Sequence, residues 1–166
     1  IKEDRTFLEK YSPDRNLEEF EQAWKQVEEA DTAVHRTYEP HYEGSSVVMG
    51  PPDSVCSIHG SLTLVATAGH HLAPQRLSSG HNVYEELGAG FTLLAFDAED
   101  STVKAFEETA GALNVPLKVV RDTFEGDRRE FESRLILVRP DQYVAWTGDT
   151  PPDGITGLIR KVAGIT

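Results

Sequence analysis

A chain of 166 residues with 39% apolar side chains holds enough material for a hydrophobic core, so one compact domain with an appended segment is the expectation. Its 28 acidic against 16 basic residues leave a formal net charge of −12, a field that repels phosphate backbones and anionic lipid and sets nucleic acid aside as a partner. No apolar run approaches the roughly 20 residues a spanning helix needs, and the lone Cys56 excludes an intrachain disulfide and a Cys-x-x-Cys pair, so a cytoplasmic protein without a membrane partner is expected.

Ile1 stands where an initiator methionine would and is followed at once by charged residues, so the chain reads as a piece of something longer. The first clear element is a helix from Asn16 to about Arg36, in which Leu17, Phe20, Trp24, Val27 and Val34 recur at spacings of 3, 4, 3 and 7. Asn16 and Glu19 have the capping-box spacing, and Glu18, Glu19 and Glu21 suit the positive end of the helix dipole. From Tyr38 to Arg76, prolines and glycines interrupt every periodic run; short strands are expected at Val47-Val48-Met49 and Leu62-Thr63-Leu64-Val65. So long a connection suggests an arm that lies against a surface beyond this chain.

After Gly88-Ala89-Gly90 the pattern becomes regular. Phe91 to Phe96 is a nearly continuous apolar run, as in a strand covered on both faces. Ser101 is the expected cap of a helix bearing Val103, Phe106, Ala110 and Leu113, which ends near Asn114 before Pro116, and Leu117 to Val120 supplies a second strand, parallel to the first. Phe124 and Phe131 anchor a charged stretch that has room for a short helix. Leu135 to Val138 and Tyr143 to Trp146, joined by Arg139-Pro140-Asp141-Gln142, predict an antiparallel hairpin, and Asp153 is the expected cap of a last helix with Ile155, Leu158, Ile159 and Val162 on one face. The order β-α-β, short helix, β-β-α is that of an α/β, thioredoxin-like fold with a four-stranded mixed sheet. Three parts are expected: a helical segment over 1–37, an extended arm over 38–87 and the thioredoxin-like unit over 88–166.

The chemistry-bearing residues each have a plain reading. Gly88 and Gly90 precede a strand instead of opening a helix, so they are no dinucleotide fingerprint. His70, His71 and His81, with His59 earlier, invite a metal, but adjacent histidines in extended chain point to opposite sides, and solvated or interface histidines are expected. The redox centre of a thioredoxin fold would fall at Asp97-Ala98-Glu99-Asp100-Ser101, where no thiol stands, and Cys56 is read as a buried or semi-buried small residue. Asp97, Glu99 and Asp100 are read as helix N-terminal acids and not as a cation site. Ser78-Ser79-Gly80-His81 lacks a nucleophile elbow. An Arg139–Asp141 pair is expected to steady the hairpin turn, and Tyr143 and Trp146 to pack against the sheet's helices.

Two runs carry a family resemblance. Gly88-Ala89-Gly90-Phe91-Thr92-Leu93-Leu94 and, more specifically, Leu137-Val138-Arg139-Pro140-Asp141-Gln142-Tyr143-Val144-Ala145-Trp146 resemble the C-terminal domain of FAD-dependent phenol and 3-hydroxyphenylpropionate hydroxylases. Tyr42 to Val48 looks like the lead-in those enzymes carry, and Gly69 to Pro74 resembles their Gly-x-Arg-x-Pro stretch, with His71 where arginine is usual and one extra residue before Pro74. The resemblance implies a parent that uses FAD, NAD(P)H and oxygen to hydroxylate a phenolic ring, with flavin and chemistry on an N-terminal part that serves as this domain's partner. It further implies a homodimer, a thioredoxin-like domain without redox cysteines, and structural duty alone for Arg139, Pro140, Asp141, Gln142 and Trp146. No catalytic, cofactor-binding or metal residue is expected in this chain. Two rivals stand beside this reading: a free-standing, redox-inactive thioredoxin-like interaction module, and a small enzyme using His70, His71 or Cys56.

Overall fold

The computed structural model describes residues 7, 10–37, 40–58 and 63–165, with the side chains of 28–37 left aside. Helix α1 (Leu17–Thr37) starts where the sequence places it: the Glu19 N–H donates to Asn16 Oδ1 at 3.3 Å, and the Asn16 amide donates to Glu19 Oε2 at 3.4 Å. Phe20 and Trp24, one turn apart, stack at 6.0 Å, and Phe7 meets Trp24 edge-on at 5.9 Å. Elsewhere the stripe is exposed, with Leu17 57% and Val27 45% accessible. Val34 lies outside the described side chains.

A short helix α2 (Val83–Glu86) leads into the sheet, which is built from β1 (Phe91–Phe96), β2 (Leu117–Asp122), β3 (Leu135–Val138) and β4 (Val144–Gly148) in the order β2-β1-β3-β4. β1 runs parallel to β2 and antiparallel to β3, and β3 and β4 form the hairpin. Helix α3 (Asp100–Ala112) makes the crossover between the parallel strands, a 3₁₀ helix spans Gly126–Phe131, and α4 (Ile155–Ala163) closes the chain. This is the expected thioredoxin-like order. The two central strands are apolar almost throughout because each has a covered layer on both sides.

Alternation along these strands divides the core. Leu93, Ala95, Leu135, Leu137 and Trp146 face Val103 and Phe106 of α3 and Leu158 and Ile159 of α4. Leu94, Phe96, Ile136, Val138 and Val144 face the other way, onto Leu72, Leu77, Val83 and Phe131. Leu72 and Val83 are wholly buried, and burying each side chain contributes about 1.5–3 kcal/mol. The second half of the arm therefore covers this chain's own sheet, not a surface beyond it. The arm also closes the outer edge of β4: Gly69 N–H donates to Val144 O at 2.7 Å, Val144 N–H to His70 O at 2.9 Å and Leu72 N–H to Gln142 O at 2.9 Å. An exposed β4 edge would otherwise invite a foreign strand.

Four local expectations give way. Val47–Met49 forms no strand; Val48 is buried, and Met49 N–H donates to Ala145 O at 2.9 Å, a carbonyl near the hairpin's register shift. Thr63 to Val65 is also not a strand, and Leu62 lies outside the described residues. Helix α3 begins at Asp100 with Glu99 as its cap residue, ahead of Ser101, because the Thr102 and Val103 N–H groups already donate to Glu99 O. Helix α4 begins at Ile155 after Gly154, one residue beyond the place Asp153 implied. Among the described residues, no helix is long and apolar enough to cross a membrane.

Candidate functional site

The hairpin turn is a three-residue loop with a left-handed residue at its end. Pro140 sits at the second position, Gln142 N–H donates to Arg139 O at 3.0 Å, and Gln142 itself takes φ 67° before Arg139 N–H donates to Tyr143 O at 2.8 Å. Arg139 Nη2 donates to Asp141 Oδ2 at 2.7 Å, the expected pair, on a half-exposed carboxylate. Trp146 packs on Phe106 of α3 with ring centres 6.0 Å apart, as expected. Tyr143 differs: its ring meets Tyr42 at 5.1 Å and His71 at 5.3 Å, both on the arm and neither on a helix. The arm occupies the side of β4 to which Tyr143 points.

The adjacent histidines diverge, as extended chain requires. His71 faces Tyr84, whose hydroxyl donates to Leu72 O, and burial of that phenol pushes its pKa above the usual tyrosine value. His70 turns to the opposite side and meets Glu43, with Nε2 to Oε1 at 2.8 Å. His41 joins them, its ring parallel to that of His70 at 4.9 Å and its Nδ1 3.7 Å from Glu43 Oε1. Among the described residues, these three are the histidine and carboxylate groups whose donor atoms converge, all within 4.8 Å. Two glycines make this possible. A Cβ on Gly69, at φ 95°, would stand 2.4 Å from Glu43 N, and one on Gly44 would stand 2.4 Å from Ser54 O. His41 and Glu43 were not singled out from sequence; Glu43 sits in the turn closed by the Ser45 N–H donating to Tyr42 O, which no periodicity along the chain announces. His81 goes elsewhere, pairing with Glu86 at 3.1 Å.

A second cluster ties the arm to the end of β2. Asp122 Oδ2 accepts from Ser78 N–H at 2.8 Å and Oδ1 from Thr123 N–H at 2.7 Å, while Arg128 Nε lies 3.4 Å from Oδ2. Burial pulls the Asp122 pKa upward, but the Ser78 and Thr123 hydrogen bonds and the Arg128 charge outweigh it, so the carboxyl titrates below its ordinary range. Ser78-Ser79-Gly80-His81 is a tight turn, with Gly80 at φ 86° and Leu77 N–H donating to His81 O.

The acids after β1 bind protein groups. Asp97 Oδ2 accepts from Phe124 N–H at 3.0 Å and faces Arg134, and Asp100 pairs with Arg121 at 2.8 Å. Cys56 lies on the arm and is exposed, neither buried nor semi-buried. The open sides of Gly88 and Gly90 are filled: a Cβ would stand 2.9 Å from Lys118 Cβ at the first and 2.6 Å from Pro116 O at the second. These glycines allow close packing beside β2.

The sheet order, the hairpin loop and an arm laid along β4 define a thioredoxin-like domain whose first strand–helix turn carries carboxylates. The family model for the aromatic-ring hydroxylase C-terminal region matches residues 66–165, and the chain belongs to that family. The FAD-dependent monooxygenase apdD of Emericella nidulans is 36% identical over 78 residues, which cover 45% of this chain and 12% of that protein. The rebeccamycin biosynthetic enzyme RebC, solved with reduced flavin, is 32% identical with a TM-score of 0.63 over 74% of this chain and 22% of its own. Aklavinone-11 hydroxylase, solved with FAD and aklavinone, shares the fold at 24% identity and a TM-score of 0.60, over 75% of this chain and 26% of its own. The chain thus spans between about an eighth and a quarter of the length of these relatives.

Proposed function

We propose that this chain is the non-catalytic C-terminal domain of a longer FAD-dependent monooxygenase, which hydroxylates a phenolic ring with NAD(P)H and oxygen. The observation that carries the reading is the family match across the whole sheet and closing helix, combined with a β1–α3 turn whose Asp97 and Asp100 are engaged by Phe124, Arg134 and Arg121. A thioredoxin fold keeps its redox thiols at that turn; here the fold serves as a packing unit.

Each part then has a task. Residues 1–37 end the connection from the catalytic part, 38–87 form the arm that covers one sheet face and one sheet edge, and 88–166 form the sheet-bearing unit. Arg139, Pro140, Asp141 and Gln142 set the loop that receives the arm, and Trp146 locks β4 to α3; all five are structural. The exposed Leu17 and Val27 of α1 face the catalytic part or a second subunit, and the parent is a cytoplasmic homodimer.

Reading the frame upstream of Ile1 and expressing the whole product tests this. The expected result is a Gly-x-Gly-x-x-Gly segment after a strand, a yellow protein, and NAD(P)H oxidation stimulated by phenols. The 166-residue chain alone is expected to be colourless and inert toward NADPH. A frame that closes just upstream, or flavin held by the chain alone, overturns the proposal.

A further inference from the structure

We propose that His41, Glu43 and His70 form a binding site for a divalent transition metal, Zn²⁺ foremost, with water as the fourth ligand. Two imidazoles and a carboxylate are a donor set that zinc takes readily, at about 2.0–2.2 Å per bond. Tetrahedral bonds of that length hold neighbouring donors about 3.3 Å apart. Two of the three separations bracket that value, 2.8 Å from Glu43 Oε1 to His70 Nε2 and 3.7 Å from Glu43 Oε1 to His41 Nδ1, and the two imidazole donors lie within 4.8 Å of each other. Side-chain rotations that close the imidazole donors by up to about 1.5 Å bring the set to the coordination distance.

Hydrogen bonding alone leaves the cluster incomplete. His41 Nδ1 is buried, points toward the Glu43 carboxylate and has no hydrogen-bond partner among the described residues, since 3.7 Å exceeds the length of such a bond. An unpaired buried nitrogen costs about 1–3 kcal/mol, and a cation between it and Oε1 removes that cost. His70 Nδ1 is likewise buried and without a partner among the described residues, where Glu43 is the polar group that orients this ring.

The backbone holds the donors in place. His41 exchanges hydrogen bonds with Ser57 at 2.9 and 3.0 Å, Tyr42 N–H donates to Gly69 O at 2.8 Å, and His70 is fixed by its pairing with β4. Glu43 keeps 22% of its side chain exposed, which leaves room for an entering ion and its water. The site joins the first half of the arm to the strand-edge segment, so an ion bound there clamps the arm to β4. It uses residues on this chain alone and is independent of the parent's activity.

The test is zinc titration of the chelator-treated 166-residue chain by calorimetry, in a Cys56→Ser background so that the exposed thiol takes no part. Expected are one ion per chain, a Kd on the order of 1 µM or below, a rise in Tm with Zn²⁺, and no response to Mg²⁺. Glu43→Gln and His41→Gln, at partly exposed side chains, should each weaken binding about tenfold or more, while His81→Ala leaves it unchanged. Circular dichroism of each variant without metal establishes that it is folded. Absence of saturable Zn²⁺ binding, or binding unaffected by His41→Gln and Glu43→Gln in folded protein, overturns the site.

Discussion

At Asp122 the charge arrangement has a definite pH signature. Its folded-state pKa is depressed, because Ser78, Thr123 and Arg128 favour the carboxylate more than burial opposes it. A depressed carboxyl contributes stability that is fully present above its unfolded value, about 3.9, and is lost as pH falls through the lower folded value. Asp122→Asn should therefore lower stability by about 1–3 kcal/mol at neutral pH, and urea midpoints of the two proteins should converge as pH drops below about 4. A constant gap across the whole range would mean that packing, and not charge, sets the loss. Gly69 makes a different demand. At φ 95°, with the Glu43 backbone 2.4 Å from any added Cβ, Gly69→Ala should cost more than about 1 kcal/mol. A lowered Tm is the readout, and an unchanged Tm would show that the Tyr42–Glu43 segment is not held against the edge.

At the scale of elements, the hairpin shows both what can be read along the chain and what cannot. Its strands were legible because Leu135–Val138 and Tyr143–Trp146 are apolar runs on either side of a proline turn. The left-handed Gln142 that the loop requires carries no such mark. An L-residue in that region costs about 1–2 kcal/mol, which glycine avoids at the expense of some chain entropy. Gln142→Gly should raise the urea-derived stability by roughly 0.5–1 kcal/mol; a loss would place a side-chain contact of Gln142 above its backbone strain. The arm was legible only as an interruption. Its attachment runs through backbone groups of Gly69, His70 and Leu72 and through side chains such as Leu72 and Leu77 with no fixed period, so no local pattern announces that it covers β4. The same holds for His41, Glu43 and His70, where 27 residues separate the hydrogen-bonded Glu43–His70 pair and only the tertiary path brings them together. Helix starts shifted, by two residues at α3 and one at α4, for a related reason: Glu99 and Gly154 cap through backbone carbonyls and not through the side chains that Ser101 and Asp153 offered.

Over the whole molecule, the two faces of the sheet are satisfied internally, one by α3 and α4 and the other by the arm and the 3₁₀ helix. The apolar surface that remains includes the stripe on α1, where Leu17 and Val27 stand 57% and 45% exposed. Exposed positions away from caps and contacts change stability by no more than about 0.5 kcal/mol, so Leu17→Ser with Val27→Ser should leave the Tm of this chain nearly unmoved. If α1 ends the connection to a catalytic part, the same pair of changes in the full-length protein strips apolar area from an inter-domain or inter-subunit contact. Sedimentation velocity and limited proteolysis then have a clear expectation: the substituted full-length protein should be cut near α1 faster than the parent, and should sediment as a smaller species if the stripe joins two subunits. The 166-residue chain should behave alike with and without the changes. Equal behaviour of substituted and parent full-length proteins would assign the stripe no partner, and would separate the task of α1 from that of the sheet that it precedes.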